Sequence, residues 1–407
     1  MGFILKKIEG DKVLWIVAVV LGLISLVSVY SAVSAYATTK FDGDTERVLM
    51  KHLLTLVLGY AFMWGASRVD YRKYSKFFYI ALWLCIPLLV YTLLWGANLN
   101  SASRSIRILG ISFQSSDLAK IVLIGYVARM LFYKQDDITS FKKAVLPIIL
   151  PTVIVVALIM PENLSTAVML FVSVLVLMFV ARVRFVHLLY IVGVVVVSLL
   201  LYIGVMMMFP EGERGRAETW INRTESFFSP KEEVQDPFDK DNYQTTYSKI
   251  AVATGGAIGK GPGKSTQRNF LPHPYSDFIY AIILEEYGLG GGLLVLFMYV
   301  VLMTRAVRVL RLRPCSFAAF LTFGLTFLIV MQALINMGVA VSLLPVTGQP
   351  LPFVSMGGTS ILFTGFAIGI LMSVSRDIER EKKEKQMAAQ GLSMQNNEED
   401  GNNASNN

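Results

Sequence analysis

The segment from Tyr243 to Gly290 reads YQTTYSKIAVATGGAIGKGPGKSTQRNFLPHPYSDFIYAIILEEYGLG, and it is the polar centre of an otherwise apolar chain. Glycines recur in its first half, basic and hydrogen-bonding side chains follow, and Asp277 stands where the sequence becomes apolar again. Long aliphatic runs precede and follow the segment. Because polar groups beside membrane-spanning runs are costly unless they are functional, this arrangement predicts an active-site segment at one face of a membrane protein.

Composition places the whole chain in the membrane class. Apolar residues make up 54% of the 407 residues and charged residues only 16%, against roughly 25% charged in soluble domains. The net charge is +8. Its lysines and arginines lie in short loops between apolar runs, which is typical of membrane topology and argues against a nucleic-acid partner. Cys85 and Cys315 fall in or beside predicted spans on separate helices, so neither a disulfide nor a metal site is predicted for them.

The apolar runs predict the fold. A membrane-spanning helix needs about 20 predominantly apolar residues. Ten such runs occur, at residues 13–37, 48–66, 77–96, 117–133, 145–160, 166–181, 186–209, 279–304, 317–341 and 358–374. The sequence therefore predicts an all-α integral membrane protein of about ten transmembrane helices, with one large outer loop, residues 210–278, between the seventh and eighth.

The distribution of charged residues predicts the orientation of the chain in the membrane and the limits of its domains. Lysine and arginine are dense in alternate connections, such as residues 68–76, 134–143 and 305–313. By the positive-inside rule this dense set is cytoplasmic, which places both termini in the cytoplasm and the large loop outside the cytoplasmic membrane. Residues 1–385 form one polytopic membrane domain. Residues 386–407 are rich in Asn, Gln and acidic side chains, which predicts a disordered cytoplasmic tail.

Asp277 is the strongest candidate for a catalytic residue within the polar segment. It lies at the junction of a polar loop and an apolar helix, where partial burial would raise its pKa and suit it to act as a general base. Aspartate is equally favoured as a helix N-cap, so the residues alone leave both roles open. Glu285 and Glu286 follow in the same predicted helix. Adjacent residues point to different faces, so we expect at least one of them to face the bundle interior.

The glycine-rich run from Gly255 to Gly263 allows positive φ angles and close backbone approach. Successive amides in such a loop can form an anion-binding nest, and Lys264, Arg268 and Arg223 could complement pyrophosphate charge. The run is not a P-loop, because the first glycine of that motif would fall on Ile258.

Three further groups combine polar residues with predicted spans. Asp117 and Lys120 are three residues apart and therefore share a helix face. They could form a helix cap with a local ion pair, or they could belong to a functional site. Residues 160–166, MPENLST, predict either a tight turn or a cavity lining. Residues 336–360 combine prolines and glycines with apolar side chains, which predicts a re-entrant or cavity-lining loop with a scaffold role.

Several motifs fall in the order found in a known family. They are LPVTGQPLPFVSMGGTS from Leu344, the pair Tyr243-Gln244, the glycine run that ends at Ser265, Gln267, and the pattern LPxxxxDFIxAxxxEExG from Leu271 to Gly288. The chain resembles the SEDS proteins (shape, elongation, division and sporulation), most closely the division-type, FtsW-like branch. The resemblance extends from the first span to Arg376. Ser105 and Gln114-Ser115-Ser116-Asp117 depart from the family pattern.

The resemblance implies a peptidoglycan glycosyltransferase. Such enzymes polymerise lipid II, a disaccharide-pentapeptide on undecaprenyl pyrophosphate, and pair with a class B penicillin-binding protein and other divisome proteins. By motif, the catalytic aspartate falls on Asp277. The implied substrate-binding candidates are Arg104, Asp117, Lys120, Arg223, Lys264, Ser265, Gln267, His273 and Glu286. No organic cofactor is expected, while a divalent cation, Mg²⁺ or Mn²⁺, could share in stabilising the leaving pyrophosphate through ligands that the sequence leaves unknown.

Other functions remain open at this point. A lipid II flippase or another lipid-linked transporter would also show buried charges and broken helices. No clear repeat relates the two halves and the only long loop is one-sided, which favours an enzyme. An elongation-type, RodA-like polymerase and a structural member of the division machinery are the remaining alternatives.

Overall fold

The computed structural model describes residues 10–40, 44–95, 97–99, 102–108, 111–209, 218, 220 and 240–405. In chain order its elements are α1 (Lys12–Lys40), α2 (Thr45–Arg68), α3 (Tyr71–Trp95), β1 (Ala97–Leu99), β2 (Ala102–Ile108), β3 (Ile111–Phe113), α4 (Ser115–Tyr133), a π-helical turn (Phe141–Val145), α5 (Leu146–Ile159), α6 (Leu164–Val180), α7 (Phe185–Met207), α8 (Lys240–Gly255), a 3₁₀ turn (Gln267–Asn269), α9 (Ile279–Leu312), α10 (Phe317–Ala340) and α11 (Thr359–Ser405).

The predicted helical membrane fold is confirmed. Within the described residues, eight helical segments are long and apolar enough to cross a membrane. Two further helices occupy the other predicted spans: α6 is apolar but has only 17 residues, and α4 carries Asp117, Lys120 and Arg129. Each of the ten predicted spans therefore corresponds to a helix.

Some features differ from the predictions. Three short strands between α3 and α4 pair antiparallel, β1 with β2 and β2 with β3; alternating isoleucine and polar residues suit such strands. The last helix continues through Ser405, although the sequence predicts disorder from Gln386. The tail is polar but holds many Ala, Gln, Met and Glu residues, which have high helix propensity.

Helices α4 and α10 form the centre of the bundle. Most of the side chains of both helices are buried, whereas α7 exposes most of its apolar surface. This position explains how α4 tolerates charged residues, because they face neighbouring helices rather than lipid. Part of the large loop also folds onto the bundle: the buried Ser248 of α8 donates a hydrogen bond to the carbonyl oxygen of Ala340 at 2.6 Å.

The two ends of the bundle differ in charge. The start of α4 contacts the start of α11 through the Gln114 amide and Thr359 Oγ1, 3.2 Å apart. The turn before Asp277 lies at this same end, since the Met356 amide donates to the carbonyl oxygen of Tyr275 at 2.9 Å. At the opposite end, Arg313 after α9 pairs with Asp377 of α11 at 3.0 Å. The densely basic connections therefore gather at the end away from Asp277.

Gly288 divides α9 into two helical pieces. Its φ of 63° and ψ of −164° interrupt the helix, so the carbonyl groups before it lose their helical partners. The glycine-rich loop supplies replacements: the amides of Lys260 and Gly261 each donate at 2.9 Å, to the carbonyl oxygens of Glu285 and Glu286 respectively. The kink and the loop therefore depend on each other.

We expect Gly288→Ala to lower the melting temperature of the purified protein. The backbone conformation at this position is essentially restricted to glycine and costs other residues about 1–3 kcal/mol. An added Cβ would also lie 2.5 Å from the carbonyl oxygen of Ala257. Gly290→Ala is the matched control, because a Cβ there meets nothing within 4 Å and alanine is the better helix former. Equal melting temperatures for the two variants would contradict the role of the kink.

Candidate functional site

Asp277 lies in the turn that leads into α9. Its side chain is half-buried, and Oδ1 accepts a hydrogen bond from Ser276 Oγ at 2.9 Å. The N-cap position of α9 belongs to Phe278, whose side chain makes no capping hydrogen bond. The interpretation of Asp277 as an N-cap is therefore wrong, because the helix begins one residue later than that role requires.

The turn that carries Asp277 is held by α10 and by the loop that follows it. Asn336 Nδ2 donates to the carbonyl oxygens of Asp277, at 2.8 Å, and Gln349, at 2.7 Å. Ser355 Oγ donates to the carbonyl oxygen of Ser276 at 2.5 Å. These bonds fix the backbone on which the Asp277 carboxylate stands.

The proline- and glycine-rich loop between α10 and α11 also approaches the carboxylate itself. A Cβ placed on Gly348 would lie 3.6 Å from Asp277 Oδ2, so the loop backbone passes beside the acid. The loop reaches α6 as well, through a hydrogen bond from Gln349 Nε2 to Thr166 Oγ1. Its predicted scaffold role agrees with these contacts.

Asp117 and Lys120 form a buried ion pair on α4. Lys120 Nζ lies 2.8 Å from Asp117 Oδ1, and both side chains are at most 6% exposed. Lys120 also donates to Gln332 Oε1 at 3.1 Å, and Gln332 Nε2 donates to the carbonyl oxygen of Pro350 at 2.8 Å. A polar chain thus runs from α4 through α10 into the loop beside Asp277.

A small cavity adjoins this ion pair. It has a volume of about 20 Å³ and is lined by Asp117, Lys120 and Gln332 together with Ser360 and Thr364 of α11. A single water needs about 10–15 Å³ and two to four polar partners, so this polar site is large enough for one water molecule.

Residues 160–166 form a capped turn between α5 and α6. The Asn163 side chain accepts a hydrogen bond from the Thr166 amide at 3.1 Å and caps α6. Of the two interpretations, the turn is correct. Thr166 additionally joins the loop network through Gln349, so this turn also supports the site.

Glu285 is the anion at the centre of the glycine-rich loop. It is fully buried and accepts from Lys260 Nζ and Ser265 Oγ at 2.5 Å each, and from the amides of Thr266 and Gln267 at 3.1 and 3.2 Å. The loop glycines Gly256, Gly259, Gly261 and Gly263 have positive φ angles, as predicted. Two successive amides that follow the glycine run bind this internal carboxylate, whereas the amides of Lys260 and Gly261 within the run donate to backbone carbonyls. An anion nest formed by the run itself stays a prediction.

Glu286 belongs to a second buried cluster beside α1. Its Oε1 accepts from the Ser265 amide at 3.2 Å and from Ser31 Oγ, while Arg268 Nη1 donates to Ser31 Oγ at 3.0 Å. Among the described residues, Ser265 and Gln267 bond to Glu285, and Glu286 bonds to Ser265 and Ser31. These candidates join the loop to the bundle rather than to the aspartate.

The remaining candidates lie outside both clusters. His273 is exposed and its Nδ1 is 3.2 Å from Tyr275 Oη, just before Asp277; Lys264 is exposed on the loop. The backbone of Arg104 lies in β2, and Arg223 lies outside the described residues.

In the described part of the chain, no group of three or more His, Cys, Asp or Glu could hold a metal ion, so the divalent cation stays a prediction.

Sequence reasoning missed Lys260, Gln332, Asn336 and Gln349. For Gln332 and Asn336 a signal existed, because an amide inside an apolar span is costly unless it is paired. For Lys260 no signal distinguished it from Lys264, because only the folded loop shows which lysine reaches Glu285.

We expect Asn336→Leu to destabilise the protein by about 1–3 kcal/mol, because two backbone carbonyls lose their donor and one of them carries Asp277. Thermal unfolding of the purified protein measures the effect. Ser198→Ala removes an exposed hydrogen bond on α7 and should leave the melting temperature unchanged. If both variants melt like the wild type, Asn336 does not hold the turn.

Comparisons with known proteins agree with this architecture. The model of the cell cycle protein family FtsW/RodA/SpoVE matches residues 11–380. The chain is 36% identical to a probable peptidoglycan glycosyltransferase FtsW of Geobacter metallireducens, over 91% of this chain and 96% of the relative. It is 34% identical to the stage V sporulation protein E of Bacillus subtilis, over 91% and 98%.

Solved structures show the same fold. A structure on the coordination of polymerization and crosslinking by a peptidoglycan synthase complex contains a chain with a TM-score of 0.72 and 23% identity, covering 90% of this chain and 98% of that one. The rod shape determining protein RodA of Thermus thermophilus gives a TM-score of 0.65 at 22% identity, covering 91% and 98%. The chain therefore belongs to the FtsW/RodA/SpoVE family of cell cycle proteins, which is the SEDS family that its motifs resemble.

Proposed function

We propose that this chain is a peptidoglycan glycosyltransferase that polymerises lipid II at the outer face of the cytoplasmic membrane, with both termini in the cytoplasm. One observation carries the proposal: Asp277 is a half-buried carboxylate one residue before the N-cap position of α9, and its backbone is held in place by α10 and the following loop. Relatives at 31–36% identity are named probable peptidoglycan glycosyltransferases, which supports the same activity.

In the proposed reaction, a sugar hydroxyl of the acceptor attacks the anomeric carbon of the donor. Asp277 takes the hydroxyl proton as the new glycosidic bond forms. The bond from the anomeric carbon to the lipid pyrophosphate breaks, and the pyrophosphate leaves with the bonding electrons. One base is sufficient, so the paired carboxylates of glycoside hydrolases are not required.

The developing pyrophosphate charge requires cations or hydrogen-bond donors. Lys264 is exposed on the loop that precedes Asp277, and Arg104 and Arg223 are the further candidates from sequence. Lys120 is committed to Asp117 and Gln332, so we assign it to the support of the site. A divalent cation, when bound, would supply Lewis-acid stabilisation of the same charge.

We assign the chain to the division branch, with a class B penicillin-binding protein and other divisome proteins as partners. Relatives named FtsW, at up to 36% identity over most of the chain, support this assignment. RodA resembles the chain at 22% identity, a level that supports the common fold alone. An elongation role is the alternative, and co-purification with either a division-type or an elongation-type penicillin-binding protein distinguishes the two.

The test is reconstitution of the purified protein in liposomes with lipid II, a class B penicillin-binding protein and Mg²⁺ or Mn²⁺. Glycan strands are the expected product, and added EDTA measures the cation requirement. Transport of lipid II across the bilayer without strands would favour the flippase, whose candidacy rests on the buried charges of α4. Neither product from a folded, partner-bound protein would favour a structural role.

A further inference from the structure

A second cavity opens at the basic end of the bundle, away from Asp277. Its volume is about 1040 Å³, and it lies between the start of α1, the end of α9 and the middle of α11. Its floor is apolar and includes the buried side chains of Leu14, Val309 and Leu371. We call it the basic cavity, and nothing in the proposed polymerisation uses it.

The rim of the basic cavity is positively charged. Six basic side chains line the cavity: Lys12, Arg305, Arg308, Arg313, Lys382 and Lys385. Three acidic side chains, Asp11, Glu379 and Glu381, oppose them, which leaves an excess of three positive charges.

Most of these basic side chains remain available to bind an anion after the ion pairs at the rim are considered. Arg305 lies 3.3 Å from Asp11, and Arg313 lies 2.5 Å from Glu381. The ion pairs among the described residues include none for the other four, which are Lys12, Arg308, Lys382 and Lys385. All four are exposed, so they can approach an anion at the mouth of the cavity.

The wall contains an unsatisfied polar group. Thr322 is 2% exposed, and its Oγ1 is buried without a hydrogen-bond partner among the described residues. A buried hydroxyl without a partner costs about 1–3 kcal/mol, and Thr322 lines this cavity.

We propose that the basic cavity binds an anionic phospholipid, with its phosphate among Arg308, Lys382 and Lys385 and an acyl chain along the apolar floor. Helix α9 ends at Leu312 and α10 begins at Phe317, so the rim lies near the level of the lipid head groups. Basic pockets between transmembrane helices on the cytoplasmic side bind anionic head groups in this way. A free phosphate would leave the apolar floor in contact with water, which favours the lipid.

Native mass spectrometry of the detergent-purified protein tests the proposal. Phosphatidylglycerol, phosphatidylcholine and glycerol 3-phosphate are titrated separately. We expect one phosphatidylglycerol to bind in preference to phosphatidylcholine, and glycerol 3-phosphate to bind far more weakly. The variant Arg308→Gln/Lys382→Gln/Lys385→Gln should lose roughly 100-fold in phosphatidylglycerol affinity, since each cation near the surface contributes a factor of about five.

The matched control is Lys73→Gln/Lys76→Gln/Lys142→Gln. It removes three exposed basic side chains from the same end of the bundle, and none of the three lines the cavity. The charge-conserving variant Arg308→Lys/Lys382→Arg/Lys385→Arg should retain binding, which separates lost charge from misfolding. Equal losses in the cavity and control variants would overturn the proposal, because the effect would then be general surface charge. Equal affinity for glycerol 3-phosphate and phosphatidylglycerol would also overturn it, in favour of a soluble phosphate ligand.

Discussion

Asp277→Asn is expected to reduce lipid II polymerisation by about 10²–10⁴-fold, the range that a positioned general base contributes. Asparagine has the same shape and retains an oxygen that can accept the hydrogen bond from Ser276 Oγ. Its amide cannot take a proton from the acceptor hydroxyl, so the loss should fall on the rate rather than on the fold. The measurement is the initial rate of glycan strand formation in liposomes.

The controls for this prediction distinguish a loss of catalysis from a loss of folding or of partner binding. Asp277→Asn should melt at the wild-type temperature and co-purify with the penicillin-binding protein. Ser276→Ala removes one hydrogen bond to the carboxylate and should retain most of the activity. Strand formation by Asp277→Asn at the wild-type rate would move the base to another residue, with Glu286 next, because Glu285 is saturated by its donors.

Glu285→Ala is expected to destabilise the protein by about 3 kcal/mol, the low end of the range for breaking a buried ion pair. The substitution leaves the amides of Thr266 and Gln267 and the Lys260 ammonium without their acceptor. The low end applies because Lys260 keeps 28% of its side chain exposed, and water can rehydrate it. Thermal unfolding and limited proteolysis of residues 256–270 measure the two consequences.

A double-mutant cycle makes this prediction specific. Lys260→Ala and Glu285→Ala should be less harmful together than the sum of the single variants, because the residues contact each other. Strict additivity, or a wild-type melting temperature for Glu285→Ala, would show that the loop is held by other contacts. Lys264→Ala is the control, since Lys264 is exposed and, among the described residues, the ion pair of Glu285 is with Lys260.

The sequence predicted the spans well, because the length and apolarity of a transmembrane helix are local properties of the chain. It also located Asp277 at the start of a helix, through a motif and a change from polar to apolar residues. The hydrogen bonds that Ser265 and Gln267 make could not be predicted in this way. Spacing identifies them as polar groups near glycines, whereas their acceptor, Glu285, is 18 to 20 residues away.

Contacts between distant residues account for the other differences. Asn336 is 59 residues from Asp277, and Lys120 is 212 residues from Gln332, so no local pattern pairs them. Whether Asp277 caps α9 depended on where the helix begins, and the N-cap position lies one residue later, at Phe278. Helix boundaries are the least certain part of any sequence-based prediction.

The internal carboxylate in the glycine-rich loop has a consequence for inhibitor design. Glycine-rich loops hold phosphates in many enzymes, so a compound that imitates a pyrophosphate would be a natural choice for this loop. Here the loop amides already bind Glu285, and an intramolecular competitor acts at a very high effective concentration. A compound aimed at this loop would have to displace it, so medicinal chemistry should begin from the turn around Asp277, where the backbone of Gly348 forms one wall.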